Sequence, residues 1–166
     1  HGTHVASTAG GRAYGVASGA TIVTVQVLSC GNTGSYAQVI AGIDWAVEDA
    51  AVRGLPAVIS MSLGGEGRGQ FDSAIDAAYD AGVLTVVAAG NENDDACKYS
   101  PSSTPAAITV GSIKQGDVKS SFSNHGACVD IHAPGSLIRA AWAESDKDVN
   151  TISGLTRRAS FCLLFL

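Results

Sequence analysis

Two stretches of the chain, HGTHVA at 1–6 and VVAAGNEN at 86–93, hold the side chains whose types and spacing can do chemistry. A free imidazole titrates near pH ~6.5, so His1 is suited to take a proton from a hydroxyl and return it to a leaving amine near neutral pH. His4 completes an H-x-x-H pair, which raises a zinc reading. Catalytic zinc takes three protein ligands, and the helical metalloprotease motif spaces its histidines four apart with a glutamate between them. Neither condition is met, so His4 is read as a structural, buried residue of a helix that begins directly behind His1. Gly2, Ala6, Ser7 and Ala9 are small enough to let that helix lie close to a sheet. Asn91 follows Gly90 at a strand end. Its carboxamide can donate to the oxyanion of a tetrahedral intermediate, or it can be a plain turn residue in GNEN.

These groups need a frame, and the hydrophobic pattern supplies one. TIVTVQVL (21–28) alternates β-branched with smaller residues and reads as a strand, followed by the turn region SCGNTGS. Val39, Ile43, Ala46, Val47 and Ala50 share one face at helical spacing, with Gly54 as the stop. PAVISMSL (56–63) is a second strand. Phe71, Ala74, Ile75 and Ala78 mark another helical face ending near Gly82, and VLTVVAA (83–89) is a third strand. Further strands are expected over 108–112 and 129–133. Strands alternating with helices imply an α/β fold, a doubly wound and mostly parallel sheet with helices on both faces. In such sheets ligands bind beyond the carboxyl ends of the strands, which directs attention to SLGG after the second strand and AGN after the third.

The totals narrow the classes. The chain has 166 residues, 46% of them apolar and 15% charged, with 20 glycines, which is the composition of a globular domain with tight turns. Its net charge is -5 and no basic run is dense enough to track a phosphate backbone, so nucleic acid is excluded as a partner. The apolar tail SFCLLFL is far short of the roughly 18 residues a membrane-spanning helix needs, so no membrane anchor is expected. The chain begins without a methionine, and the absence of a signal peptide therefore carries no information.

HGTHVA, SMSLGG (60–65) and VVAAGNEN occur in the order and rough spacing of one family. Together with YSPSSTPAAITVGS, SSFSNHG, VDIHAPG and TISG, they make the chain resemble the subtilisin-like serine proteases (subtilases, peptidase family S8), nearest the proteinase K-like branch, from His1 to Gly154. The resemblance implies a subtilisin-like fold and a secreted serine endopeptidase of broad specificity, using a Ser-His-Asp triad. It makes His1 the general base and Asn91 the oxyanion donor. Ser62, Leu63 and Gly64 become one wall of the peptide site, Ala88, Ala89 and Gly90 line the other side of the first specificity pocket, and Gly34 lies on the opposite edge. Glycines at strand ends also serve plain turns. Small walls with Leu63 suggest a roomy apolar pocket and cleavage after aromatic or aliphatic residues. Asp130, with the carbonyls of Pro105 and Ala107, matches a calcium position of the branch, the alternative being a solvated carboxylate. Cys97 and Cys128 match a disulfide, hence an oxidising, extracellular compartment. Cys30 matches a cysteine whose partner precedes the catalytic histidine, so it is expected to be an odd thiol. Protein or peptide substrates, no organic cofactor and a monomeric state complete the expectation.

The pattern also departs from the family. The triad runs Asp, His, Ser along such chains, and no aspartate precedes His1. After Gly154 the family continues with GTSMA, whereas this chain reads LTRRASFCLLFL. Thr156 stands in the nucleophile's place, where its extra methyl would crowd a site shaped for serine. Residues 1–154 are therefore expected to be the central part of a catalytic domain, incomplete at both ends, and 155–166 an atypical tail foreign to the fold. By itself this polypeptide is expected to be inactive and prone to aggregate. The alternative is a catalytically dead, subtilase-like peptide-binding protein. A nucleotide-binding α/β domain is disfavoured by the lack of G-x-G-x-x-G after the first strand.

Overall fold

The structure, a computed structural model, describes residues 1–29, 31, 33–154 and 161–165. Its spine is a seven-stranded mixed sheet, and the strands run β1 (Thr21–Val25), β11 (Phe161–Phe165), β2 (Ala57–Met61), β4 (Leu84–Ala88) and β6 (Ala107–Lys114), with β8 (Ile131–Pro134) on the edge of β6 away from β4 and the short β7 (Val118–Lys119) pairing with the end of β6 on its other edge. The pairs β2–β4, β4–β6 and β6–β8 are parallel; α3 (Asp72–Asp80) makes the crossover from β2 to β4, and segments without an α-helix make the other two.

Two helices cover one face. Helix α2 (Tyr36–Arg53) begins at Ser35 with a reciprocal cap, in which the Ser35 hydroxyl accepts from the Gln38 N–H and the Gln38 side chain accepts from the Ser35 N–H at 2.8 Å. It ends where Gly54 turns left-handed at φ 62°, the stop the sequence implied. The face expected to be apolar is the one that is buried: Val39, Ile43, Ala46 and Ala50 pack with Ile75 and Ala78 of helix α3 (Asp72–Asp80). Strand β2 alternates as a half-covered strand does, with Ala57, Ile59 and Met61 turned into this core and Val58 and Ser60 turned away. Each large aliphatic side chain fully withdrawn here, such as Ile43 or Ile59, contributes about 1.5–3 kcal/mol.

Helix α1 (Gly2–Gly10) lies against the other face. Ile22 of β1 comes within contact of Gly10, whereas its neighbours Val23 and Val25 pack on the α2–α3 core, so the two sides of β1 meet different helices. Helices thus occupy both faces, and a hairpin of β9 (Ile138–Ala141) and β10 (Val149–Ile152) packs beside α1. A two-residue pair, β3 (Gly65–Glu66) with β5 (Tyr99–Ser100), ties the segment after β2 to the one after β4.

The hairpin, the small β3–β5 pair and β11 are elements that local periodicity did not reveal. β11 comes from the apolar tail, which the sequence pattern left without a partner. Its backbone lies between β1 and β2, antiparallel to both, where a short run of phenylalanine and leucine suits a strand flanked on each side. No helix among the described residues is long and apolar enough to cross a membrane.

Candidate active site

His1 is the N-cap of α1, so the helix does begin directly behind it. His4, one turn further on, is buried at 3% exposure and donates from Nε2 to the carbonyl of Ile138 at 3.0 Å, with its ring edge-on to Trp142. A ring nitrogen spent on a backbone carbonyl positions the β9 hairpin against α1. Among the described residues no cluster of three metal-ligating His, Cys, Asp or Glu side chains occurs, and the zinc reading gains nothing from the geometry.

His1 and Asn91 line one cavity of about 390 Å³ at the carboxyl ends of β2 and β4. Gly154 and residues of β6 close its other side. The Asn91 side chain lies directly beside Gly154, since a Cβ placed on that glycine would meet Asn91 Oδ1 at 2.7 Å. A second, larger cleft of about 970 Å³ adjoins it. Gly34, Ser62, Leu63, Gly64, Ala88, Ala89 and Gly90 all line this cleft, and Ser62, Ala88, Ala89, Gly90 and Asn91 border both spaces. The residues expected to hold a peptide are therefore brought together, next to the two expected to act on it. Leu63 contributes differently from a free pocket wall. It is 6% exposed and belongs to the hydrophobic core, so it fixes the floor of the cleft.

Sequence reasoning missed several residues here. Tyr36 lines the larger cleft from the start of α2, its hydroxyl donating to the Glu66 carbonyl at 2.8 Å and its ring packed edge-on to Phe71. Glu92 accepts the Asn91 N–H at 2.8 Å, and Asn124 is wholly buried behind the turn. The only signal for Asn124 was its presence in the SSFSNHG motif.

Beyond the turn, the chain is pinned to the segment after β7. Cys97, in a single 3-10 turn (Ala96–Lys98), is joined to Cys128, with Cα atoms 5.3 Å apart, which is the pairing the resemblance implied. The Ala96 N–H donates to the His125 carbonyl and the His125 N–H to the Asp94 carbonyl, so backbone bonds and disulfide act together. Lys98 bonds both oxygens of Asp94 at 2.8 and 3.0 Å. That contact, followed by the Asp95 N–H, holds the Asp94 carboxyl below the usual carboxylate range, and the same pair raises the Lys98 ammonium above its ordinary value.

Asp130 is exposed and immediately precedes β8, next to Thr109, whose N–H donates to its Oδ2 at 2.8 Å. Ala107 is two residues earlier on β6, and Pro105 precedes it. One carboxylate and two carbonyls are the kind of oxygen donors a hard cation such as Ca²⁺ takes. Cys30 and Thr156 lie outside the described residues.

A histidine at a helix start, a carboxamide just beyond the central parallel strand β4 and a cleft bordered by the ends of β2 and β4 form an arrangement of the subtilisin-like kind. The chain belongs to the subtilase family, whose model matches residues 1–164. It is 53% identical over 154 residues to an extracellular serine proteinase of Thermus sp. (strain Rt41A), covering 93% of this chain and 37% of that protein. It is 51% identical over 154 residues to alkaline serine exoprotease A of Vibrio alginolyticus, covering 93% of this chain and 28% of the relative. The crystal structure of a cold-adapted subtilisin-like serine proteinase superposes with a TM-score of 0.86 at 48% identity, over 94% of this chain and 55% of that one. The chain thus spans well under half the length of these curated relatives.

Proposed function

We propose that this chain is the central part of a secreted serine endopeptidase of broad specificity, with His1 as general base and Asn91 as oxyanion donor. The observation that carries the reading is the adjacency of two spaces: a cavity bordered by His1 and Asn91, and a cleft bordered by every residue expected to hold the peptide. His1 takes the proton of a serine hydroxyl as it attacks the scissile carbonyl, and gives it to the departing amine. The Asn91 amide donates to the oxygen that becomes negative. Residues 62–64 and 88–90 offer strand ends to an extended substrate, where main-chain bonds supply affinity and the apolar floor favours aromatic or aliphatic side chains. The Cys97–Cys128 bond and the extracellular serine proteinase among the relatives support secretion. Asp130, with the carbonyls of Pro105 and Ala107, would hold Ca²⁺, which would supply a fixed charge clamping β6 to the segment before β8. A monomer acting on protein or peptide substrates completes the proposal.

The test is to express the longer reading frame and assay a chromogenic peptide. His1→Ala should abolish turnover, and Asn91→Ala should lower kcat by about 100- to 1,000-fold with little change in KM. Turnover unaffected by His1→Ala overturns the proposal. A longer protein that binds extended peptides without cleaving them replaces it with the peptide-binding alternative.

A further inference from the structure

Asn124 stands about thirty residues from the turn it touches and is 0% exposed. Its side-chain amide has four places for hydrogen bonds, and all are filled. Nδ2 donates to the Ala89 carbonyl at 3.0 Å and to Glu92 Oε2 at 2.8 Å. Oδ1 accepts the N–H groups of Glu92 at 2.9 Å and Asp94 at 3.0 Å. The orientation of the amide is settled by these partners, because a flipped group would set two donors against two N–H groups. The Asn124 N–H also donates to the Gly90 carbonyl at 3.0 Å.

Glu92 extends the hold to Asn91 itself. The oxygen that accepts from Asn124 also accepts the Asn91 N–H at 2.8 Å. Every residue from Ala89 to Glu92 thus has a backbone group fixed by Asn124 directly or through one carboxylate. Gly90 shows how closely the two segments fit. Its φ is 107°, and a Cβ there would fall 2.3 Å from Asn124 Nδ2. The Asn124 side is anchored in turn: Ser123 Oγ accepts the Ser112 N–H and donates to the Asn124 carbonyl, each at 2.9 Å. Lys119 Nζ donates to Asn93 Oδ1 and to the Ser123 carbonyl, each at 2.9 Å.

The turn after β4 has left the sheet ladder by Gly90, so neighbouring strands no longer hold it. A buried amide with every position filled is rigid, because leaving any one partner unmet in the interior is expensive. We propose that Asn124 is the positioning residue of the oxyanion site: it holds the backbone of 89–92 so that the Asn91 amide meets the developing charge and Ala89 and Gly90 keep the pocket wall in place. This rests on the proposed role of Asn91 and deepens it.

A double-mutant cycle in the longer, active protein tests the proposal with Asn91→Ala, Asn124→Ala and the two combined. Asn124→Ala is expected to lower kcat at least tenfold in the parent background and less than twofold once Asn91 is alanine, because a donor already absent cannot be misplaced. Equal losses in both backgrounds would mark Asn124 as merely structural and overturn the proposal. An unchanged kcat in Asn91→Ala alone removes the oxyanion reading, and the present proposal falls with it. Should Asn124→Ala fail to fold, Glu92→Ala removes the shared acceptor at an exposed position, and the same non-additivity with Asn91→Ala is required of it. Amide hydrogen exchange gives a readout independent of chemistry: in either variant the Asn91 N–H must exchange faster while the amides of α2 keep their protection. Unchanged exchange at Asn91 overturns the proposal.

Discussion

Replacing Cys97 and Cys128 together by serine is the perturbation whose effect can be worked most directly from the structure. The bond joins residues 31 positions apart, and the chain-entropy relation for a loop of that length gives about 3.7 kcal/mol at 25 °C. The bond adds to a local structure that already has its own backbone hydrogen bonds, from Ala96 to His125 and from His125 to Asp94, so the native geometry is expected to persist without it. The loss should therefore come from the unfolded state, with the native spectrum unchanged. Urea unfolding followed by circular dichroism measures it. With m near ~2 kcal/mol/M, the midpoint should fall by about 1.8 M at constant m. Adding reductant to the parent should reproduce the shift, and adding it to the double variant should change nothing. A loss below ~1 kcal/mol would refute the reasoning, since it would mean that the loop is already closed in the unfolded chain or that the bond does not form.

Two further outcomes are expected. Asp94 has its carboxyl lowered chiefly by Lys98, so the pair's contribution is present above the ordinary carboxylate value and is lost as pH falls through the lowered one; the Lys98 side, raised, is lost only as pH climbs through its own raised value. The stability difference between the parent and Lys98→Ala should accordingly be small and level around neutrality and shrink in acid, as thermal melts across pH would reveal; both groups are exposed, so high salt should also diminish it. If Asp130 anchors Ca²⁺, a chelator should lower Tm, by the equivalent of about 2.7 kcal/mol when calcium is first present at a hundred times its Kd, and Asp130→Asn should abolish that response. A parent melt indifferent to chelator counts against the calcium site.

The sequence by itself determined the elements whose signals are local. The 3.6-residue spacing of Val39, Ile43, Ala46 and Ala50, closed by Gly54, became α2, and the apolar runs around Ile59 and Val87 became the central parallel strands β2 and β4. SLGG and AGN drew attention because ligands of an α/β sheet bind beyond the carboxyl ends of its strands, and the family resemblance then named Ser62–Gly64 and Ala88–Gly90, which the fold brings to one cleft. Only the tertiary structure decided what depends on distant partners. The antiparallel place of β11 between β1 and β2 and the pairing of β9 with β10 follow from strand edges that need hydrogen-bond partners, a demand that periodicity cannot express. Leu63 proved to be core as well as cleft because its side chain is covered by helices contributed elsewhere. Asn124 was one polar residue in a motif until folding placed its amide against Ala89, Glu92 and Asp94, and a hydrogen-bond network closed across some thirty residues leaves no trace in the spacing of either segment.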